Sequence, residues 1–429
     1  MPFRLHLLIT RVRKSEFFRN SMMMISGAGF AQLIPILIIP LLTRLYTPEE
    51  IGILATFVSI FTIFSIIAAG RYEYAIIMPE SDQDGIRLLQ IAAFFSIVTG
   101  AISIVAVFFL RELITNTLQV PSLEPWLWFL PPAITAQGLF MTFSFGLNRK
   151  KYYRDMAWGK ISQSGSTSII QVLGGLAGLG IAGLIIGKVT GVIISATWLF
   201  TTLYYKVPNF IINEKWSDLK RTAIKFRNYP KYNAPHALTN NVSNNIPVIL
   251  FVTFFTETIA GFYAMAIRAC YAPIQIISIA LSQVLGKRLA EIKNKNEDVE
   301  SYVKRVILYL IILGIFPFGV LFVVSPKLFG FVLGSEWTVT GEYIRILMPW
   351  VYLTFISQPL SYIPLLYNRQ KMAFGLDIVY LILRLTAILA GVWFESILIA
   401  LYCYSSTGAT MMIIQIAWYV QLSKHQIEK

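Results

Sequence analysis

Apolar stretches of roughly twenty residues recur along the whole of this 429-residue chain, and they restrict its fold more than any other feature. Each is long enough to cross a hydrocarbon core of about 30 Å as a helix. Twelve spans are expected, at roughly 20–43, 50–69, 88–110, 125–147, 159–180, 183–205, 235–256, 258–285, 305–325, 342–367, 372–394 and 396–421. Composition rejects the alternative of two or three soluble domains. Charged residues make up 14% of the chain, against about 25% in soluble domains. The expected fold class is all-α, a polytopic membrane protein with about twelve transmembrane helices.

The net charge of +14 suggests nucleic acid only in a soluble protein. Here the basic residues fall between the apolar runs, where anionic headgroups and membrane topology account for them. When alternate loops are assigned to opposite faces, most of the 36 Lys and Arg fall on the side of both termini. The other face holds only Arg44, Arg111 and Lys327, and the rest lie within spans or at their ends. The positive-inside rule places both termini in the cytoplasm. No cleavable leader is expected, because the basic start runs directly into a full-length span.

The expected organisation is an N-terminal six-helix bundle (1–205), a basic cytoplasmic linker (206–234) and a C-terminal six-helix bundle (235–429). The linker's NEKWSDLKRTAIKFRNY is basic and amphipathic, which suits a membrane surface; a plain connection is the alternative. The halves also resemble each other. LIPILIIPLLT from Leu33 aligns with NIPVILFVTFF from Asn245, and IGILA from Ile51 with AGFYA from Ala260. Pro35 thereby pairs with Pro247, and Gly52 with Gly261. Even span numbers in each half imply a pseudo-twofold axis along the membrane normal.

No enzyme motif is present: the chain lacks a phosphate loop, HExxH, a nucleophile elbow and a dinucleotide fingerprint. Cys270 and Cys403 fall in apolar spans, so neither a disulfide nor a metal site is expected. What remains is polarity at membrane depth. The stretch 228–268 carries Asn240, Asn241, Asn244 and Asn245 before Pro247, then Arg268. Such groups face protein or a water-filled cavity rather than lipid, so a pair of helices lining a polar passage is expected here. Arg268 lies about 15 Å into its span at 1.5 Å per residue. It reads as a cation for an anionic substrate or as half of a structural ion pair. Arg384 is equally deep, with Asp377 two turns away as a competing structural partner. Lys188 either serves the passage or snorkels to the interface. Arg44 and Arg71 are open between headgroup anchoring and a passage mouth. Gly183, Gly187 and Gly191, spaced by four, read as a helix-packing ridge.

Several stretches resemble bacterial polysaccharide-biosynthesis flippases of the Wzx type: FAQLIPILIIPLLTRLYTPEEIG, RYEYAIIMPE, the NRKKYY loop with GGLAGLGIAGLIIGKVTG, and YPKYNAPHALTNNVSNNIPVILF with AGFYAMAIRACYAPIQ. That family sits in the superfamily of multidrug and toxin extrusion (MATE) antiporters and peptidoglycan-precursor flippases. The resemblance covers about Phe18 to Gln283. It implies two six-helix bundles around a cationic cavity, and alternating-access flipping of undecaprenyl-diphosphate-linked oligosaccharide across the bacterial cytoplasmic membrane. It implies partners among membrane lipids and polysaccharide polymerase or assembly proteins, no cofactor, and coupling to a proton or sodium gradient. Carried over residue by residue, it assigns Gln32, Arg44, Asn240, Asn244 and Arg268 to the cavity. No acid suited to cation coupling is evident in the first six spans. Arginine forks suit phosphate oxygens. A drug/cation antiporter, the alternative, would favour acidic cavity residues and aromatic walls.

The charge asymmetry yields a direct test. Single cysteines at Lys215 and Lys327 should label from opposite faces of the membrane, and labelling of both from one face would end the twelve-span arrangement.

Overall fold

The computed structural model describes residues 29, 31–207, 214–295 and 297–424. Within them the chain is helical, with short turns between helices. Part of the first expected span, with the N-terminal basic cluster, lies outside the described residues. Helices overlap each of the expected spans among the described residues, but the tenth (342–367) is broken: its helix ends at Ser357 and is followed by a 3-10 turn and the single turn Ile363–Leu366. Among the described residues, six helices are long and apolar enough to cross a membrane by length and composition alone.

The chain divides into two compact units. Unit 1 takes residues 60–116 and 121–241 with the stretch to Ile38; unit 2 takes 39–59, 117–120 and 242–429. The division therefore departs from the chain midpoint: the end of the first span and the start of the second are counted with the second unit.

In unit 1, α2 (Pro48–Ser65) enters from the other unit, α1 (Ile39–Leu45) having come before it. Then follow α3 (Asp82–Leu118), α4 (Leu130–Arg149), α5 (Tyr153–Leu176), α6 (Ile181–Lys206), the short α7 (Trp216–Lys225) and the start of α8 (Ala234–Phe254). Asp82 and Asp84 open α3, where carboxylates complement the helix dipole. The expected glycine ridge packs α6 on α5. A Cβ on Gly187 would come within 2.7 Å of Gln171 Cγ, and one on Gly191 would collide with Thr167 Oγ1. Gln171 then donates to the Leu184 carbonyl at 3.0 Å, so the polar face of α5 serves packing here. The basic linker helix α7 and the stretch just before it dock on α3, through Lys225–Asp84 at 3.1 Å and Glu214–Arg87 at 2.9 Å, leaving Trp216 and Ile224 exposed.

Unit 2 holds α9 (Glu257–Asn294), α10 (Val299–Leu333), α11 (Thr338–Ser357), the single turn α12 (Ile363–Leu366), α13 (Gln370–Trp393) and α14 (Ile397–Lys424). One apolar core joins Leu289, Val303, Ile363, Trp418 and Leu422. A second, aromatic core stacks Tyr271 on Trp350 and sets Tyr404 against both Trp350 and Tyr263.

The internal repeat becomes a physical contact where α2 meets α9. Thr47 and Glu50 form a reciprocal capping box at the start of α2: Glu50 N donates to Thr47 Oγ1 (3.2 Å), and Thr47 N to the Glu50 carboxylate (2.9 Å). Thr256 caps α9 in the same place, accepting from Ile259 N at 3.2 Å. A single offset of 209 residues relates Thr47 to Thr256, Pro48 to Glu257 and Gly52 to Gly261. The contact is reciprocal. A Cβ on Gly52 would strike the Glu257 carbonyl oxygen, and one on Gly261 would strike the Pro48 carbonyl oxygen. Residue i meets j while j meets i, the signature of a local twofold. The indole of Trp337 locks the end of α1 into the same unit by donating to the Thr43 carbonyl at 3.0 Å.

Gly52→Ala and Gly261→Ala should each destabilise the protein by about 1–3 kcal/mol through overpacking. Gly165→Ala, on α5 with open space around it, should stabilise by up to about 1 kcal/mol through helix propensity. Thermal unfolding of the three variants in one detergent checks the ordering.

Candidate functional site

Two polar constellations are buried within the helices, one in each unit. The first is built around the turn between α2 and α3. After α2 the chain passes through Gly70 and Arg71, both left-handed at φ 62°, into a short helical turn at Tyr72–Ala75. A left-handed arginine is uncommon and persists where its surroundings hold it. Here Arg71 donates to the Ile66 carbonyl (3.3 Å) and to Asn233 Oδ1 (3.0 Å), and its guanidinium covers the Tyr74 ring at 4.3 Å. The turn swings Glu73 inward beside it, with 3.6 Å between Arg71 Nη1 and Glu73 Oε1. Both side chains line a cavity of about 290 Å³ with Gln137 of α4, Gln163 of α5 and Lys188 of α6. Lys188 is half-buried, its ammonium 5.4 Å from the Phe61 ring centre.

Glu73 is 2% exposed. Burial pushes its carboxyl up to about 7 from the ordinary 4.5, and the Arg71 guanidinium and a backbone hydrogen bond offset part of that rise. It lies in the turn after the second expected span and not within any of the first six. The available signal was the pairing of Arg71 and Glu73 in RYEYAIIMPE, directly after an apolar run.

The second constellation is Arg384 on α13, only 5% exposed. Its Nη2 donates to the Tyr380 hydroxyl at 2.8 Å, and Nη1 faces the Ser243 carbonyl (3.3 Å), the Ser243 hydroxyl (3.4 Å) and Asn244 Oδ1 (3.5 Å). The rings of Tyr380, Trp350 and Tyr404 surround its Cζ at 3.9, 5.4 and 5.4 Å. Among the described residues each of its hydrogen bonds goes to a neutral oxygen, and Nε makes none. The Asp377 pairing considered from sequence is not the one formed; α8 and the aromatic core supply the contacts instead. Cation–π attraction and neutral acceptors hold the guanidinium without cancelling its charge.

The remaining candidates are spread out. Asn244 meets Arg384 while its side chain stays exposed, and Asn240, one turn earlier on α8, is exposed as well. Arg268 is half-buried on α9. Gln32 is exposed in the helical stretch 31–37, and Arg44 is exposed in the last turn of α1. The structure thus brings Asn244 to Arg384, and Lys188 to Arg71 and Glu73. It leaves Gln32, Arg44 and Asn240 outside both constellations.

Comparison with known proteins adds three findings. A family described as polysaccharide biosynthesis protein matches residues 41–342. The succinoglycan biosynthesis transport protein ExoT of Rhizobium meliloti (strain 1021) is 19% identical over 312 residues, 72% of this chain. This chain spans 61% of that relative's length. Among solved structures, the fold matches an inward-facing multidrug resistance MATE family transporter of the MOP superfamily (TM-score 0.74, 12% identity, 94% of this chain and 96% of the other). It also matches the lipid II flippase MurJ in an inward closed conformation (TM-score 0.72, 14% identity, 96% and 91%). A MOP superfamily transporter from Pyrococcus furiosus Vc1 (DSM3638) matches at TM-score 0.62, with 11% identity and 96% of both chains covered. The chain is a multi-pass membrane protein with this transporter fold.

The Glu73 carboxyl generates a pH test. Its folded pKa lies above its unfolded one, so between about 4.5 and 7 the unfolded chain releases this proton first. The folded state then binds more protons, and its stability falls as pH rises through that window. Glu73→Gln should flatten this part of the melting-temperature profile. A slope identical to the wild type would remove Glu73 as its source.

Proposed function

Because the chain belongs to the polysaccharide biosynthesis protein family, we propose that it is a flippase for undecaprenyl-diphosphate-linked oligosaccharide. It carries repeat units from the cytoplasmic to the outer leaflet of the bacterial inner membrane by alternating access. The product feeds cell-surface polysaccharide assembly as O-antigen, capsule or exopolysaccharide. In this reading the chain is a transporter and not an enzyme, both termini are cytoplasmic, and polymerase and assembly proteins receive its product.

The observation that carries the reading is the uncancelled charge of Arg384. A buried guanidinium whose hydrogen bonds all go to neutral oxygens leaves a positive potential inside the helices. That polarity favours the passage of a diphosphate and opposes that of a cationic drug. Arg268 adds the same sign within unit 2 and Lys188 within unit 1, with Arg268 proposed as the leading diphosphate contact. Coupling to a proton gradient rests on Glu73, the buried acid that titrates near neutral pH. The same acid and the aromatic rings around Arg384 favour the alternative, a cation-coupled multidrug antiporter, while Arg384 itself and Arg71 and Lys188 beside the acid count against it.

Proteoliposomes loaded with fluorescent lipid-diphosphate glycans separate the two readings from a cationic-dye efflux assay run on the same preparation. Glycan flipping without dye efflux is expected. Arg268→Ala should abolish flipping while the protein still accumulates in the membrane. Arg384→Lys keeps the charge but loses the planar fork, and flipping should fall roughly tenfold. Dye efflux with no glycan flipping would reverse the assignment.

A further inference from the structure

The cavity in unit 1 has a size and a lining that proton coupling does not use. At about 290 Å³ it lies at the small end of ligand sites, which run from about 300 to 1,000 Å³. That is room for one ring and not for a chain of them. Its lining mixes functions. Arg71 and Lys188 present donors, Glu73 presents acceptors, and Gln137, Gln163 and the hydroxyls of Thr62 and Ser65 can do both.

Two of these groups are more than nine-tenths buried, and each keeps a polar atom without a partner among the described residues: Nε of Arg71 and Oε2 of Glu73. Those two atoms are closed off, so a guest meets these side chains through the parts that line the cavity. The chemistry of a guest that would meet both side chains is narrow. A simple anion would satisfy Arg71 but face the Glu73 carboxylate, and a simple cation would do the reverse. A guest bearing several hydroxyls donates to the carboxylate and accepts from the guanidinium at once. Phe61 and Met141 supply an apolar wall for the carbon-bound hydrogens of a ring.

We propose that this cavity is a monosaccharide subsite that takes one sugar ring of the transported glycan; its biological ligand rests on the flippase reading. Arg71 and Glu73 bind neighbouring hydroxyls, and the Gln163–Gln137 amide pair (3.2 Å) orients the opposite edge.

The test reads binding and transport separately. Saturation-transfer NMR is run on the full-length protein in phospholipid nanodiscs, free of glycosidic detergent, with glucose, N-acetylglucosamine and glucuronate as probes. Ring protons of at least one sugar should receive saturation. Gln163→Met keeps the volume but removes the amide, and should weaken that binding roughly tenfold. Ser65→Phe fills the cavity and should abolish binding; if this variant fails to fold, Gln163→Met decides alone. No saturation with any of the three sugars, or equal saturation in wild type and both variants, overturns the subsite. Flipping of lipid-linked glycan without sugar saturation rejects the subsite and leaves the flippase reading standing. Saturation that responds to the variants in a protein that flips no glycan upholds the subsite and rejects the flippase reading.

Discussion

A polar atom at membrane depth has no bulk water to bond, so it must find its partners inside the protein or in a guest. The placement of polar groups in this chain follows from that constraint. Threonine and serine hydroxyls return to their own helices, as Thr142 does to the Gly138 carbonyl at 2.9 Å and Thr354 to the Trp350 carbonyl at 2.8 Å. Helix starts are closed by their own side chains at Thr47 and Thr256. Where two helices approach too closely for any side chain, glycines at 52 and 261 let each meet the other's backbone. Arg384 meets the constraint in part: its two terminal nitrogens reach hydroxyls, an amide and a carbonyl, three aromatic faces surround its Cζ, and Nε keeps no hydrogen-bond partner among the described residues.

That choice of neutral company has an electrostatic consequence. A carboxylate partner would make Arg384 a buried ion pair, whose net field is small and whose desolvation is costly. Tyrosine and tryptophan rings hold the cation by their quadrupoles and leave its charge available. The Arg71–Glu73 pair in unit 1 differs. There the acid is present, but burial lifts its pKa towards neutrality, so the pair can change its net charge within the physiological range. A fixed cation and a titratable pair are the two electrical elements that the proposed transport of an anionic lipid, coupled to protons, calls for.

Much of the scaffold was legible because hydrocarbon imposes a length scale on sequence. Most apolar runs of about twenty residues became a single helix, the run at 342–367 being broken after Ser357, and most cations fell between the runs. The four-residue glycine spacing on α6 identified its packing face, since residues four apart share one side of a helix. The alignment of Gly52 with Gly261 also had a physical basis: the two glycines touch. Individual site residues were less legible. Gln32, Arg44 and Asn240 are exposed, and nothing in a linear pattern distinguishes an exposed polar residue on a helix from one that is enclosed.

What the sequence determined by itself was local. Run length, charge between runs, caps and residue spacing act over one or a few turns, and they specified an all-α membrane protein with an internal repeat. Tertiary structure alone decided which polar groups meet. Arg384 finds Ser243, 141 residues away, and Arg71 finds Asn233, 162 residues away. Asp377, two turns along the same helix, is not a partner of Arg384. Glu73 becomes a buried acid only because a left-handed turn at Gly70 and Arg71 folds it inward among α4, α5 and α6. The physical reason is range. Helix formation is governed by neighbours along the chain, whereas the environment that sets a charge's partners and pKa is assembled from elements brought together only when the helices pack.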